Sequence, residues 1–115
     1  MRRPMPAIIE DADRLLISAV TAHETGMVMR ARRGMAAAER VWRFLREQND
    51  FEIAPFDEAQ AREALAAFDR YGKGIHSKAR LSLADCAAYA LARTVGAPLL
   101  FKGNDFAATD IASVL

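Results

Sequence analysis

The sequence predicts an α/β domain in which a short, mostly parallel sheet is flanked by helices in three layers. Apolar segments at residues 15–17, 51–54 and 97–101 are strand candidates, and the stretches between them carry apolar residues at helical spacing. Strands that alternate with helices are typical of parallel sheets. The chain of 115 residues has no internal repeat, and its length suits a single domain covering residues 1–115.

The elements of the first half follow from local patterns. Residues 6–14 have the pattern of a short helix, and residues 15–17 that of a strand. Ser18 is a suitable N-cap for a helix that continues to about residue 33, where Gly34 ends it. Residues 35–49 form the next predicted helix, which is amphipathic.

The second half begins with a strand at residues 51–54. Asp57 and Gln60 have the spacing of a capping box, and the helix they open carries one apolar stripe. The stripe consists of Ala61, Leu65 and Phe68. Residues 71–80, with two glycines and several basic positions, are predicted to be a loop.

The most informative stretch is residues 81–106. From residue 83 to 92 Asp85 is the one residue that is not apolar, which predicts a helix buried on all sides. A buried carboxylate is costly unless it has a partner. Gly96 ends this helix, and the strand at 97–101 leads into a turn that carries Asp105. Ligands of open α/β sheets bind at that edge of the sheet.

Composition excludes several classes of protein. Hydrophobic residues make up 52% and charged residues 27% of the chain, as in soluble globular proteins. No apolar run approaches the roughly 20 residues of a membrane-spanning helix, and acids in the first fifteen positions argue against a signal peptide. The single cysteine, Cys86, excludes an internal disulfide and indicates a reducing, cytoplasmic location. Because no apolar run is long enough to span a bilayer, we expect no membrane association.

The net charge of +1 conceals two basic groups and one acidic segment. Basic residues dominate residues 71–102 and cluster again at 30–46, whereas residues 51–70 are acidic. Basic clusters attract nucleic acid, but solvated helix faces have the same composition. Both interpretations stay open on charge alone.

Three acids stand where ligands would be expected. Glu24 falls on the apolar stripe of its helix, Asp85 lies in the buried helix, and Asp105 follows the last strand. Each has a structural alternative: an ion pair with a nearby arginine for Glu24, a helix cap for Asp85 and a turn for Asp105. Carboxylates brought together bind protons or a cation. Their hard oxygens suit Mg²⁺ or Mn²⁺, which can stabilise displacement at phosphorus.

Taken together, these motifs resemble the PIN-domain ribonucleases, specifically the VapC-type toxins of bacterial toxin–antitoxin pairs. The resemblance covers nearly the whole chain. It rests on LLISAVTAHETG (residues 15–26), PFDEAQA (55–61), RYGKGIH (70–76), LADCAAYALA (83–92) and PLLFKGNDFAATDI (98–111).

This resemblance implies an endoribonuclease that depends on Mg²⁺ or Mn²⁺, is silenced by a small antitoxin and usually forms a homodimer. By position, Glu24 and Asp85 match the second and third acids of the family, and Asp105 lies in the more variable fourth region. Ser18 or Thr21 could orient Glu24. The candidate contacts to the RNA backbone are Lys73, Lys78, Arg80 and Lys102.

The sequence departs from the family pattern at its beginning. Family members open with an apolar strand that ends in the first metal-binding Asp, whereas this sequence corresponds to a point after the following helix. Asp11 and Asp13 precede the first predicted strand and do not replace that residue. The missing strand would leave two inner strands without a partner. A start placed too late or an N-terminal deletion would explain the difference, and we favour the first.

Two other functions remain open. A catalytically inactive PIN-like protein could still dimerise or bind an antitoxin through an apolar surface around Trp42 and Phe44. A PIN-like domain could also bind RNA without cutting it. Metal dependence separates the enzyme from both.

Overall fold

The computed structural model describes residues 8–11, 14–47, 51–75 and 80–97, and the backbone of 99–100. Within these ranges the chain forms four strands and four helices. In chain order they are β1 (Ile8–Asp11), β2 (Arg14–Ser18), α1 (Ala19–Arg33), α2 (Met35–Glu47), β3 (Phe51–Ala54), α3 (Glu58–Tyr71), α4 (Leu83–Val95) and β4 (Leu99–Leu100).

The strands form one sheet in the order β3-β2-β1-β4. β2 and β3 are parallel, with Leu15 beside Phe51 and Ser18 beside Ala54. β1 is antiparallel to both β2 and β4. The predicted α/β class is confirmed, but the described sheet is mixed where a mostly parallel one was predicted, because β1 runs against its neighbours.

The predicted helix at residues 6–14 is wrong, since residues 8–11 form β1. The strand lies between β2 and β4 and supplies backbone hydrogen bonds to both. Ile9 is fully buried at this position. Burial and ladder formation in the middle of a sheet outweigh a short local helical pattern, whose propensities are small. β1 thus also fills the gap that the sequence predicted between the inner strands.

Helix boundaries agree closely with the cap residues read from the sequence. Ser18 caps α1 by accepting a hydrogen bond from the Val20 N–H, and Asp57 caps α3 by accepting one from the Gln60 N–H. Gly96 ends α4 with φ of 67°, a left-handed conformation that glycine adopts without a Cβ penalty. Among the helices described, none combines the length and apolar character needed to cross a membrane.

The main core surrounds α4, whose residues 84–92 are all buried. α3 packs on α4 through small side chains, mainly Ala64 and Ala67, and the Gln60 side-chain amide donates to Thr94 Oγ1 at 2.7 Å. The stripe predicted from Ala61, Leu65 and Phe68 is on one face, but that face is exposed. A second cluster, containing Ile17, Ala22 and Leu45, joins α1 and α2 to the sheet.

Candidate functional site

The first turn of α4 holds Asp85 in a complete capping box. The Asp85 N–H donates to Ser82 Oγ at 3.3 Å, and the Ser82 N–H donates to Asp85 Oδ2 at 3.1 Å. Asp85 is only 5% exposed. The capping role that the spacing predicted is confirmed, and it leaves room for a second role because a carboxylate can accept several hydrogen bonds.

Topology places this turn at the carboxyl end of the parallel strands. Because β1 is antiparallel to both β2 and β4, those two strands run in the same direction. Only residues 96–98 separate α4 from β4, so the helix runs back along the sheet and begins near the edge where β4 ends. Ser18, the last residue of β2, lies at the same edge.

The start of α1 brings Glu24 towards this edge. Ser18, Thr21 and Glu24 are spaced three residues apart, so they share one face of the first two turns. Glu24 is partly exposed, whereas Ser18 and Thr21 are buried. Within the described residues Thr21 Oγ1 is a buried oxygen with no hydrogen-bond partner. The prediction that Thr21 orients Glu24 is therefore wrong, and the Ser18 hydroxyl acts as the cap of α1.

Several of the predicted site residues lie outside the part of the chain that the structure describes. Asp105, Lys78 and Lys102 lie outside the described residues. In the described ranges no group of three or more His, Cys, Asp or Glu side chains is arranged to hold a metal. Of the three predicted metal-binding acids, Glu24 and Asp85 are among the described residues. Their carboxylate oxygens have the chemistry that Mg²⁺ or Mn²⁺ prefers.

Asp11, the last residue of β1, lies at the opposite edge of the sheet from Ser18. Asp11 is the cross-strand partner of Arg14, at the amino end of β2, and their side chains form an ion pair at 3.3 Å. This is the edge opposite Ser18. Asp11 therefore lies at the edge of the sheet away from Asp85, while Asp13 lies outside the described residues.

The basic loop before α4 is closed by a short parallel bridge. The Lys73 N–H donates to the Leu81 carbonyl at 3.0 Å, and the Leu81 N–H donates to the Tyr71 carbonyl at 2.9 Å. Lys73 and Arg80 are both exposed. The bridge thus holds two of the predicted RNA-contacting residues close to the Ser82 cap. Arg80 has φ of 54°, a conformation that is uncommon outside glycine and occurs at functional sites.

Two features of this region were missed in the sequence. Tyr71 and Tyr89 pack at 5.6 Å between ring centroids, with the Arg70 guanidinium 5.1 Å above the Tyr71 ring. The signal was available, because Tyr71 continues the buried face of α3 beyond Ala64 and Ala67. Leu83, predicted to be buried, is 77% exposed beside the Asp85 turn.

Cys86 follows Asp85 and is buried, as predicted for a small apolar residue. Burial, together with the neighbouring Asp85 carboxylate, raises the pKa of the Cys86 thiol from 9.0 to about 11. The thiol is therefore neutral near pH 7, and the side chain is unsuited to act as a nucleophile.

A groove of about 660 Å³ lies between α1 and α2. Its apolar lining includes Met27, Met35 and Trp42, and it is bordered by both arginine and glutamate side chains. His23, which is exposed, lies at this groove and is a surface residue as predicted. Phe44 lines a separate depression and is 57% exposed, so the apolar surface predicted around Trp42 and Phe44 is present but divided.

Comparison with known proteins agrees with the motifs. The family model described as "PIN domain" matches residues 2–112. Ribonuclease VapC30 of Mycobacterium tuberculosis is 42% identical over 106 residues, covering 90% of this chain and 79% of the relative. Ribonuclease VapC of Mycolicibacterium smegmatis is 39% identical over 108 residues, covering 94% and 81%. Ribonuclease VapC28 of M. tuberculosis is 37% identical over 107 residues, covering 93% and 80%. The chain belongs to the PIN-domain family and is a relative of the VapC ribonucleases.

Proposed function

We propose that this protein is a divalent-metal-dependent endoribonuclease, the toxin of a toxin–antitoxin pair. The observation that carries the proposal is the placement of a buried acid, Asp85, at the sheet edge where ligands of α/β domains bind. The exposed cations Lys73 and Arg80 stand in the loop that leads into the same turn. Three relatives whose matches cover 90% or more of this chain carry the name ribonuclease.

Asp85, Glu24 and Asp105 are the proposed ligands of Mg²⁺ or Mn²⁺. When bound, such an ion supplies positive charge to the scissile phosphodiester and to an attacking water. The chain's own residues prepare the site for it. Ser82 fixes the Asp85 carboxylate through its backbone N–H, and the amino end of α4 adds a positive dipole that favours negative charge nearby.

The basic residues are proposed to hold the RNA backbone. Lys73 and Arg80 are placed beside the α4 turn by the Gly72–Leu81 bridge, and Lys78 and Lys102 complete the proposed set. Contacts of this kind give affinity without sequence preference and weaken as salt rises. Replacing Lys73 or Arg80 with Gln should therefore lower affinity for unrelated RNAs alike and reduce the salt dependence of binding.

A small antitoxin protein is the proposed regulatory partner, and a homodimer is the proposed assembly, both in the cytoplasm. The groove beside Trp42 supports the first, because an apolar floor with charged borders suits an amphipathic helix. Its occupancy can be tested with Trp42→Ala, which should weaken antitoxin capture without removing any proposed metal ligand.

The test of the function is RNA cleavage by the folded chain with Mn²⁺, with and without chelator, and by Asp85→Asn. We expect cleavage that requires the metal and disappears in the variant. Cleavage that persists in Asp85→Asn, or in excess chelator, would contradict the proposed site.

A binding module without catalytic activity is the second candidate. The observation that favours it is the direction of β1, which carries Asp11 to the edge away from Asp85. A module of this kind would retain its antitoxin in chelator and in Asp85→Asn, and the folded chain would release no RNA products.

A further inference from the structure

The hydroxyl of Thr21 differs from the other serine and threonine hydroxyls that the structure describes. Those of Ser18 and Ser82 cap helices. Those of Thr25 and Thr94 each donate to the carbonyl oxygen four residues earlier, at 2.9 and 2.8 Å. Thr21 Oγ1 is buried and, within the described ranges, has no hydrogen-bond partner.

An unpaired hydroxyl in this position lowers the stability of the fold. Thr21 is only 1% exposed, so bulk solvent does not satisfy the group. A threonine in a helix ordinarily bonds to the preceding turn, as Thr25 does. Buried polar atoms without partners are rare, and a catalytic or ion-binding role is one of the causes known for them. The Thr21 hydroxyl is therefore available to a partner that comes from outside the described fold.

The position of Thr21 relates this hydroxyl to the acids proposed to bind metal. It lies three residues after Ser18, the last residue of β2, and three residues before Glu24, so it shares their face of α1. α1 also packs against α4, whose first turn carries Asp85. The unpaired hydroxyl thus belongs to the sheet edge and to the helix that position two of the proposed ligands.

We infer that Thr21 is a positioning residue of the proposed metal site, and that its hydroxyl donates a hydrogen bond to a water that the divalent ion carries. Mg²⁺ keeps several waters when it binds to protein carboxylates. Groups that hydrogen-bond to the ligands of a metal orient those ligands and raise the affinity for the ion. Thr21 would therefore act without contacting the ion. The inference rests on the proposed metal-dependent function and adds to it a residue outside the set of acids.

This role predicts effects of opposite sign in the absence and in the presence of the ion. Thr21→Val replaces the hydroxyl with a methyl group of similar shape. In chelator the variant should melt at a higher temperature than the wild type, because it buries no unpaired hydroxyl. It should nevertheless bind Mn²⁺ about tenfold more weakly, as is typical when a hydrogen bond to a metal ligand is lost. A threonine with a structural role alone would not affect Mn²⁺ affinity.

The experiment measures the Kd for Mn²⁺ of the full chain by electron paramagnetic resonance of the free ion, together with the melting temperature in chelator. Thr21→Ser keeps the hydroxyl and should bind Mn²⁺ as the wild type does. Thr25→Val is the matched control, because it removes a hydroxyl of the same helix that already has a partner. It should leave the Kd unchanged. Asp85→Asn tests the metal site itself and should lose Mn²⁺ binding.

An unchanged Kd in Thr21→Val overturns the inference, and so does an equal loss of affinity in Thr25→Val. A lower melting temperature of Thr21→Val in chelator also overturns it, because the hydroxyl would then have a partner that does not depend on the ion. If Asp85→Asn loses Mn²⁺ while Thr21→Val retains it, the proposed metal site stands without Thr21. A wild type that binds no Mn²⁺ contradicts both the site and the role of Thr21.

Discussion

Asp85 caps α4, and we propose that it also binds the metal; a pair of substitutions separates the two roles. Ser82→Ala removes the hydroxyl that accepts from the Asp85 N–H and leaves the carboxylate in place. Asp85→Asn removes the charge but keeps an oxygen that can accept from the Ser82 N–H. The first change tests the helix cap, and the second tests the ligand.

The loss of stability expected for Ser82→Ala follows from the energy of a helix cap. Loss of a Ser N-cap costs about 1 kcal/mol of unfolding free energy, within a range of roughly 0.5 to 2 kcal/mol. For a domain of this size that corresponds to a fall in Tm of about 4 °C. Asp85→Asn should cost about the same or less, because it loses the favourable dipole interaction of about 0.3 to 1 kcal/mol while relieving the burial of a charge.

The effect expected for Asp85→Asn is the loss of the stabilisation that the proposed metal would provide. An ion that binds only the folded chain adds about 2.7 kcal/mol when its concentration is a hundred times Kd. Thermal melting in chelator and in Mn²⁺ should therefore show a metal-induced rise in Tm for the wild type and for Ser82→Ala. Asp85→Asn should lose most of that rise.

The refuting result is a full Mn²⁺-induced rise in Asp85→Asn, since the ion would then bind elsewhere and Asp85 would be a cap alone. Equal Tm values for Ser82→Ala and wild type in chelator would instead contradict the energetic role of the capping box.

Three further predictions concern stability and reactivity. Gly72→Ala should destabilise the fold by about 1 to 3 kcal/mol in urea unfolding, because an added Cβ would approach the Phe68 ring to 2.3 Å and its carbonyl to 2.5 Å; an unchanged midpoint would contradict this contact. Thr21→Val should raise the unfolding free energy by about 1 kcal/mol, because it replaces an unpaired buried hydroxyl with a methyl of similar shape; a loss of stability would show that the hydroxyl has a partner. Stability should fall as pH rises from about 9 to about 11, because the unfolded chain loses the Cys86 proton first, and Cys86→Ala should remove most of that slope in chemical denaturation.

The parts of the fold that could be predicted are those determined by local chemistry. Ser18, Asp57 and Ser82 cap the helices that begin after them, and Gly34 and Gly96 end the helices before them. A side-chain oxygen that satisfies an exposed backbone N–H acts over three residues, so it is readable without knowledge of the fold. The same holds for Asp85, whose capping partner is three residues away.

Residues 8–11 show where local reading fails. Their pattern fits one face of a short helix, yet they form β1, because the fate of Ile9 depends on the space between β2 and β4. Strand formation is determined largely by the neighbours that a segment meets, and these are distant in the sequence. The direction of β1 decides in turn which edge of the sheet receives Asp11.

The exposure of the outer stripe of α3, formed by Ala61, Leu65 and Phe68, could not be predicted for a different reason. Ala61, Leu65 and Phe68 are more apolar than the opposite face, and an amphipathic helix usually turns its more apolar face to the core. The helix instead turns Ala64 and Ala67 towards α4, whose own alanines allow a close approach. Size complementarity between two helices is a property of the pair, and hydrophobicity along one of them does not reveal it.

The capping box also determines whether the chain can fold before the proposed metal binds. A carboxylate buried without partners would make folding depend on a cation, as it does in small zinc domains. In this chain Ser82 and the amino end of α4 meet the Asp85 carboxylate within its own helix. The site can therefore form before any ion arrives, and a chelator should abolish RNA cleavage while leaving the far-ultraviolet circular dichroism unchanged. If the chelator unfolded the chain, the metal would be required for folding and would not simply bind to a preformed site at the sheet edge.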